Sequence, residues 1–339
     1  MLQFWSMSSA RAKLIAGFFA VATASVTTAA AQTTPPLEPV TLRLGWTYIG
    51  GFSPLYLGVE KGFFREQGID LKILEGKGTV PSAATVANGS DDFGYFDIGS
   101  VSLLIDKGLA VRGIAQIRQK TGAAYISMKK TGIDRPAKIE GHSVALTPGA
   151  STTQLFAGFV AANKLDMSKI KQEGLDPSIF VKALIAGQVD AILSYYDSSG
   201  LAIENQGHDV NMLLFADYGV NILDYGIATS VNMMTRKPDL TKRFVAAAIK
   251  SFTYGSDHIE ESVQVGKARF PEFDTKLAAR QFAFQKTLYG DSVKAGKPIG
   301  WIEPATWQAS LNVLKQYSGL KNTDPSAYFT NDFIAVAKP

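Results

Sequence analysis

The chain has 339 residues, 46% of them hydrophobic and 19% charged, with 31 Gly, 14 Pro and no Cys. An ordinary apolar fraction at low charge density excludes disorder and coiled coil, and the missing Cys excludes disulfides, thiolate metal sites, iron–sulfur clusters and cysteine nucleophiles. The formal net charge of +4 falls to +2 once Arg11 and Lys13 are set aside as part of a leader; with no Lys/Arg run, there is no electrostatic footprint for nucleic acid.

The leader comes first in chain order. Arg11 and Lys13 precede an apolar stretch from Leu14 to Val26 that ends in Ala29-Ala30-Ala31, the small-x-small pattern of a signal-peptidase site. Residues 1–31 therefore read as a cleaved signal peptide, with Gln32 as the mature N-terminus. The apolar stretch is shorter than the roughly 20 residues that span a bilayer, which argues against a one-helix anchor. The leader ends without a Cys to acylate, so an exported bacterial protein of this kind is expected in the periplasm of a Gram-negative cell.

After a Pro-rich spacer, residues 32–39, strand-like and helix-like runs alternate. Val40 to Gly45 reads as a strand, Leu55 to Gln67 as a helix stopped by Gly68, and Ile69 to Leu74 as a strand. Pro81 to Asn88 is a helix, Phe93 to Phe96 a strand, Val101 to Lys107 a helix and Val111 to Ile117 a strand. The pattern then repeats. Strands are expected at Tyr125 to Met128, Ser143 to Leu146, Ala191 to Ser194, Val210 to Phe215 and Gly226 to Val231, and helices at Gln154 to Asn163 and Ile179 to Ala186. From Pro238 onward the chain reads as helical, with runs at Leu240 to Ser256, Thr275 to Leu288 and Pro304 to Tyr317. Alternation with short connections gives an α/β chain with mainly parallel sheets flanked by helices. Because strands run out after Val231, the last hundred or so residues are expected to pack back on the first half, making that lobe discontinuous.

The residues resemble a family. Leu42-Arg43-Leu44-Gly45-Trp46, Ser53-Pro54-Leu55-Tyr56-Leu57-Gly58-Val59-Glu60-Lys61-Gly62-Phe63-Phe64 and Gln67-Gly68-Ile69-Asp70-Leu71 are similar to the opening of periplasmic solute-binding proteins of ABC importers. The branch is the one for thiamine pyrimidine precursors, sulfonates, taurine and nitrate. Ala84, Gly89 and Asp92-Phe93-Gly94, then Ala183-Leu184-Ile185-Ala186-Gly187-Gln188-Val189-Asp190-Ala191, then Pro238-Asp239-Leu240 with Phe244, follow in the family's order. The resemblance implies a two-lobed, type II "Venus flytrap" binding protein. Lobe 1 would comprise residues 40–121 and 232–339 and lobe 2 residues 122–231, with hinge segments near 122–128 and 226–231. It also implies a small-molecule solute, an inner-membrane permease with its ATPase as partners, a monomer, and no cofactor. The family's fungal pyrimidine-forming members are suicide enzymes with a Cys-rich iron motif, which a chain without Cys cannot form.

Ligands of open α/β sheets sit at strand C-termini and helix N-termini, and five loops qualify. In the first, Trp46, Thr47, Tyr48 and Phe52 surround turn glycines; aromatic faces there favour a flat solute, and packing of the loop on its own lobe is the alternative. In the second, Tyr95-Phe96-Asp97, the bulky Tyr95-Phe96 pair departs from the small polar loop common in the family it resembles, which argues against a sulfonate or nitrate site. Asp97 is placed either to accept from a ligand amine or to cap the following helix. In the third, the hydroxyls of Ser151, Thr152 and Thr153 open a helix and offer an anion or carbonyl site, or a plain N-cap. The fourth, Tyr195, Tyr196 and Asp197, suits ring edges and amino groups, one tyrosine being expected in the core. The fifth holds Asp217, Tyr218, Asn221 and Asp224 before the second crossover, with surface-loop chemistry as the alternative for Asp217.

His142, His208 and His258 lack ligand spacing, so no metal site is expected, and no dinucleotide, Walker, nucleophile-elbow or H-E-x-x-H motif is present. The expected function is therefore a non-enzymatic solute-binding protein for a planar nitrogen-containing molecule, a thiamine-related pyrimidine first. An aromatic carboxylate or sulfonate stands second, and an exported hydrolase or pyrimidine-modifying enzyme is the reading from another class.

Overall fold

Alternation of buried and half-exposed side chains builds the first strand. In β1 (Glu38–Leu44) the side chains of Val40, Leu42 and Leu44 point inward while Thr41 and Arg43 stay half-exposed. The computed structural model describes residues 36–148 and 150–335, so the expected leader lies outside the described residues. The other strands are β2 (Ile69–Leu74), β3 (Phe93–Asp97), β4 (Val111–Gln116), β5 (Ala123–Met128), β6 (Ser143–Leu146), β7 (Lys171–Gly174), β8 (Ala191–Tyr195), β9 (Val210–Leu214) and β10 (Tyr225–Ser230). Strands β3 and β5 are buried along their whole length, as strands covered on both faces must be.

Two five-stranded sheets result, ordered β2-β1-β3-β10-β4 and β7-β6-β8-β5-β9. In the first, β10 runs antiparallel between β3 and β4, with Tyr225 opposite Asp97 and Gly226 opposite Gln116. In the second, β5 runs antiparallel between β8 and β9, with Ala123 opposite Tyr195 and Ala124 opposite Leu214. Each sheet is otherwise parallel, and each places its one reversed strand in the same position. This repeated layout is the two-lobed α/β architecture that the sequence implied.

The crossings differ from the expected hinges. Strand β10, expected to close lobe 2 with a hinge at 226–231, is hydrogen-bonded inside the first sheet, and the segment 122–128 is mostly β5 inside the second. The chain passes between sheets at residues 117–122 and 215–224. An apolar run shows that a strand exists, but not which sheet supplies its hydrogen-bond partners, so the boundary was misplaced by one strand.

The expected helix at 55–67 is broken by Gly62, whose φ of 77° ends the helix Ser53–Glu60 before a short turn Phe63–Glu66. The long helix Pro238–Asp257 packs against the first sheet, with Phe244 stacked on Phe93 at a centroid distance of 3.8 Å. The helix Pro304–Ser318 departs from the expected one-lobe packing, because Trp307 and Leu311 join a core that includes Ile98 and Val101 from one side and Phe156 and Phe159 from the other.

Candidate functional site

The end of β3 delivers Asp97 to the start of the helix Ile98–Ile105. Its carboxylate accepts from the Ser100 backbone N–H at 2.9 Å and the Ser100 hydroxyl at 2.6 Å, so the capping role holds. The same carboxylate also reaches the other sheet. The Tyr195 hydroxyl, at the end of β8, donates to Asp97 Oδ2 at 2.9 Å, and Ser151 Oγ lies 3.1 Å from that hydroxyl. Ser151 is the first residue of the helix Ser151–Ala162, whose N-cap is Ala150, so its side chain serves Tyr195 rather than its own helix.

Beside this contact lies a buried charge cluster. Arg118, in the first crossing, is 1% exposed; its Nη2 donates to Asp197 Oδ2 at 2.6 Å and to Gln285 Oε1 at 2.8 Å, and its Nε donates to Gln285 at 3.0 Å. Its Nη1 lies 3.7 Å from Asp224 Oδ2, and its guanidinium sits 5.0 Å from the Tyr225 ring centroid. Asp224, in the second crossing, accepts from the Gly122 N–H of the first crossing at 2.9 Å. Gln116 Nε2 donates to the carbonyls of both Arg118 and Asp224, tying the crossings together.

Burial governs the titration of these groups. It raises the Asp224 carboxyl to about 8 against the pull of Arg118, with neighbouring Asp97 adding to the rise. Burial also raises Asp97, opposed by its hydrogen bonds from Ser100 and Tyr195. Burial works against the charge of Arg118, but Asp197 and Asp224 outweigh it and hold the guanidinium more firmly protonated than usual. The Tyr195 hydroxyl is pushed up by burial and by Asp97, so it remains a donor.

Of the sequence-predicted residues, Asp97, Ser151, Tyr195, Asp197 and Asp224 are brought together. Phe52 is close by, its ring 5.6 Å from Tyr95 and 5.7 Å from Tyr225, but it is wholly buried packing. Phe96 is likewise core, and Thr152 is buried at the start of its helix. Trp46 is half-buried against the first-sheet core and Thr47 is exposed.

Six of the expected positions lie away from this cluster. Tyr48 is turned into lobe 1, stacked on Phe270 at 4.4 Å with its hydroxyl 2.6 Å from Ser53 Oγ, because Gly266 leaves room for that hydroxyl. Tyr196 donates to Glu204 at 2.8 Å, on its own side of the turn. Thr153 donates back to the Thr147 carbonyl. Asp217 pairs with Lys120 at the surface, Tyr218 lies edge-on to Phe159, and Asn221 is exposed, so of the fifth loop only Asp224 reaches the cluster.

Sequence reasoning missed Arg118 and Gln285. A cation just past the strand expected at Val111 to Ile117 was a readable sign for the first. For the second, the helix Thr275–Thr287 buries Gln281 and Gln285 on its apolar face beside Ala278 and Phe282, and two glutamines on a core face call for partners. Gln281 accepts from the Gly50 N–H at 2.8 Å.

Two sheets of identical order, joined by two crossings with polar groups gathered between them, define the fold of periplasmic binding proteins. The sequence matches the model of the family described as "NMT1/THI5 like" over residues 50–262, and the chain belongs to that family. Its relatives include the riboflavin-binding protein RibY of Chloroflexus aurantiacus, 22% identical over 88% of this chain and 87% of that protein. The formylaminopyrimidine-binding protein of Halalkalibacterium halodurans is 23% identical over 73% and 77%. A 4-amino-5-hydroxymethyl-2-methylpyrimidine phosphate synthase of Legionella pneumophila is 21% identical over 87% and 92%. Among solved structures, the alkanesulfonate-binding protein SsuA from Xanthomonas axonopodis pv. citri bound to MOPS shares the fold, with a TM-score of 0.66, 14% identity and coverage of 88% of this chain and 100% of that one.

Proposed function

We propose that this chain is the periplasmic solute-binding component of an ABC importer, and that it holds a small planar nitrogen-containing solute between its two lobes, a thiamine-related pyrimidine first. One observation carries the reading. Groups from both sheets and both crossings lie in two adjoining sets between the lobes, Tyr195 with Asp97 and Ser151, and Arg118 with Asp224, with the Tyr225 ring next to both. Such an arrangement assembles only when the lobes close, so a solute that bridges the lobes stabilises the closed form by its differential affinity. The names of the riboflavin- and formylaminopyrimidine-binding relatives support a planar nitrogen heterocycle. Delivery through a separate permease and its ATPase, with this chain as a monomer, belongs to the same proposal; among the described residues no helix is long and apolar enough to cross a membrane.

A thermal-shift screen of pyrimidines, riboflavin, aromatic carboxylates, sulfonates and nitrate tests it. A solute at a hundredfold excess over Kd stabilises the native state by about 2.7 kcal/mol, and a pyrimidine is expected to give the largest shift. The synthase among the relatives makes pyrimidine chemistry the reading to separate. Mass spectrometry of the incubated solute is expected to show it unchanged, and turnover would move the protein to the enzyme class.

A further inference from the structure

We infer that the solute enters the interlobe site as a cation or as a neutral ring rich in N–H donors, received by Asp197 and Asp224, and that anions are rejected there; this rests on the solute-binding reading above. The first argument is charge. Two buried carboxylates, Asp197 and Asp224, pair with one buried cation, Arg118, and a third buried carboxylate, Asp97, lies close enough to Asp224 to act on its charge. Arg118 is already committed to Asp197 and Gln285, so it offers an anionic solute little.

The second argument is the accounting of acceptors. Asp97 is saturated by Ser100 and Tyr195. Asp197 spends Oδ2 on Arg118, and Asp224 spends Oδ2 on Gly122, but Asp197 Oδ1 and Asp224 Oδ1 are sealed from solvent with no hydrogen-bond partner. An unpaired buried carboxylate oxygen is costly, and a donor supplied by a solute removes that cost. Both carboxylates pair with the same guanidinium through Oδ2, one from the second crossing and one just after β8. The groups that face Asp224 and set its proton are Arg118, Asp97 and Asp197, with Tyr225 beside them. Its raised titration means that a cation arriving at neutral pH displaces a proton instead of meeting a fixed negative charge.

Calorimetry with four planar probes, benzamidine, 4-aminopyrimidine, benzoate and benzenesulfonate, on the parent and on Asp224→Asn tests the inference. Benzamidine is expected to bind at least tenfold more tightly than benzoate. Asp224→Asn, which keeps an acceptor for Gly122, is expected to fold cooperatively and to shrink that ratio at least fivefold. Benzoate or benzenesulfonate binding as tightly as benzamidine, a ratio unchanged in the variant, or failure of both nitrogen probes to bind overturns the inference. An anionic solute recovered in the wider screen overturns it too while leaving solute binding intact, whereas turnover of a pyrimidine overturns the solute-binding reading itself.

Discussion

Tyr195 and Asp97 belong to different sheets, and the hydroxyl of the first donates to the carboxylate of the second at 2.9 Å. This bond is a direct side-chain tie between the lobes at the level of the candidate site. Tyr195→Phe removes it and leaves Asp97 its two bonds from Ser100, so the capped helix is expected to survive. A hydrogen bond to a charged acceptor contributes about 1.5–3 kcal/mol. Solute affinity is expected to fall about tenfold, with a larger radius of gyration at sub-saturating solute; small-angle scattering and calorimetry check both. Unchanged affinity would mean that Tyr195 packs the cleft without helping to close it.

Stability is expected to fall as pH rises from about 5 to 8. Asp224 titrates near 8 in the folded chain, well above its ordinary carboxylate value, and Asp97 is raised as well. A carboxyl raised by folding binds more protons in the native than in the unfolded state across that window, so the native state loses ground as the proton leaves. The surface acids Asp106, Asp166, Asp176 and Asp274 are lowered and lose their contribution only as pH falls through the acidic range, so they do not mask the slope. One group contributes at most about 1.4 kcal/mol per pH unit. Urea melts across the window should show the decline, and Asp224→Asn should flatten it.

The first loop separates packing from recognition. Tyr48→Phe is expected to leave solute affinity unchanged while lowering stability by about 1 kcal/mol, because its buried hydroxyl bond to Ser53 is lost inside lobe 1. Trp46 is the half-buried aromatic of that loop. Trp46→Ala is expected to weaken binding more than tenfold and Trp46→Phe about tenfold, with loss of the solute-dependent fluorescence change. Affinity unaltered by Trp46→Ala would place the site away from the first loop.

Much of the layout was legible because local signals agreed with tertiary ones. Ile69–Leu74 and Ser143–Leu146 were read at the boundaries the structure gives, each an apolar run following a turn glycine. The short strand Lys171–Gly174 carries no apolar pattern, since at the sheet edge it pairs through its backbone with β6 alone. Asp97 and Tyr195 were both reachable from the rule that strand C-termini face the cleft. Tyr48 was not, because the ring that claims it, Phe270, lies more than two hundred residues away. Arg118 escaped for the same reason: its partners Asp197, Asp224 and Gln285 are distant in sequence, and only the closed topology sets them around it.

Gly51 gives the most local test of that topology. A Cβ built there would lie 2.6 Å from Gln285 Oε1 and 3.1 Å from Arg118 Nη2, so the glycine is what lets the carboxamide and the guanidinium meet beside the turn Gly50–Phe52. The Gly51 carbonyl also accepts from Gln285 Nε2 at 2.8 Å, fixing the distance. Both atoms that a methyl would displace belong to a buried network, so neither can swing to solvent. Gly51→Ala is therefore expected to cost about 1–3 kcal/mol, the range for overpacking a tight core, and to weaken solute binding by shifting Arg118 against Asp197. Gly62→Ala supplies the contrast, because its site is open and only the positive φ of 77° opposes it. That change is expected to lower the melting temperature modestly and leave binding untouched. Melts and calorimetry on the two variants check the pair, and a Gly51→Ala protein with parent stability would show that the Arg118–Gln285 contact is not held in place by this turn.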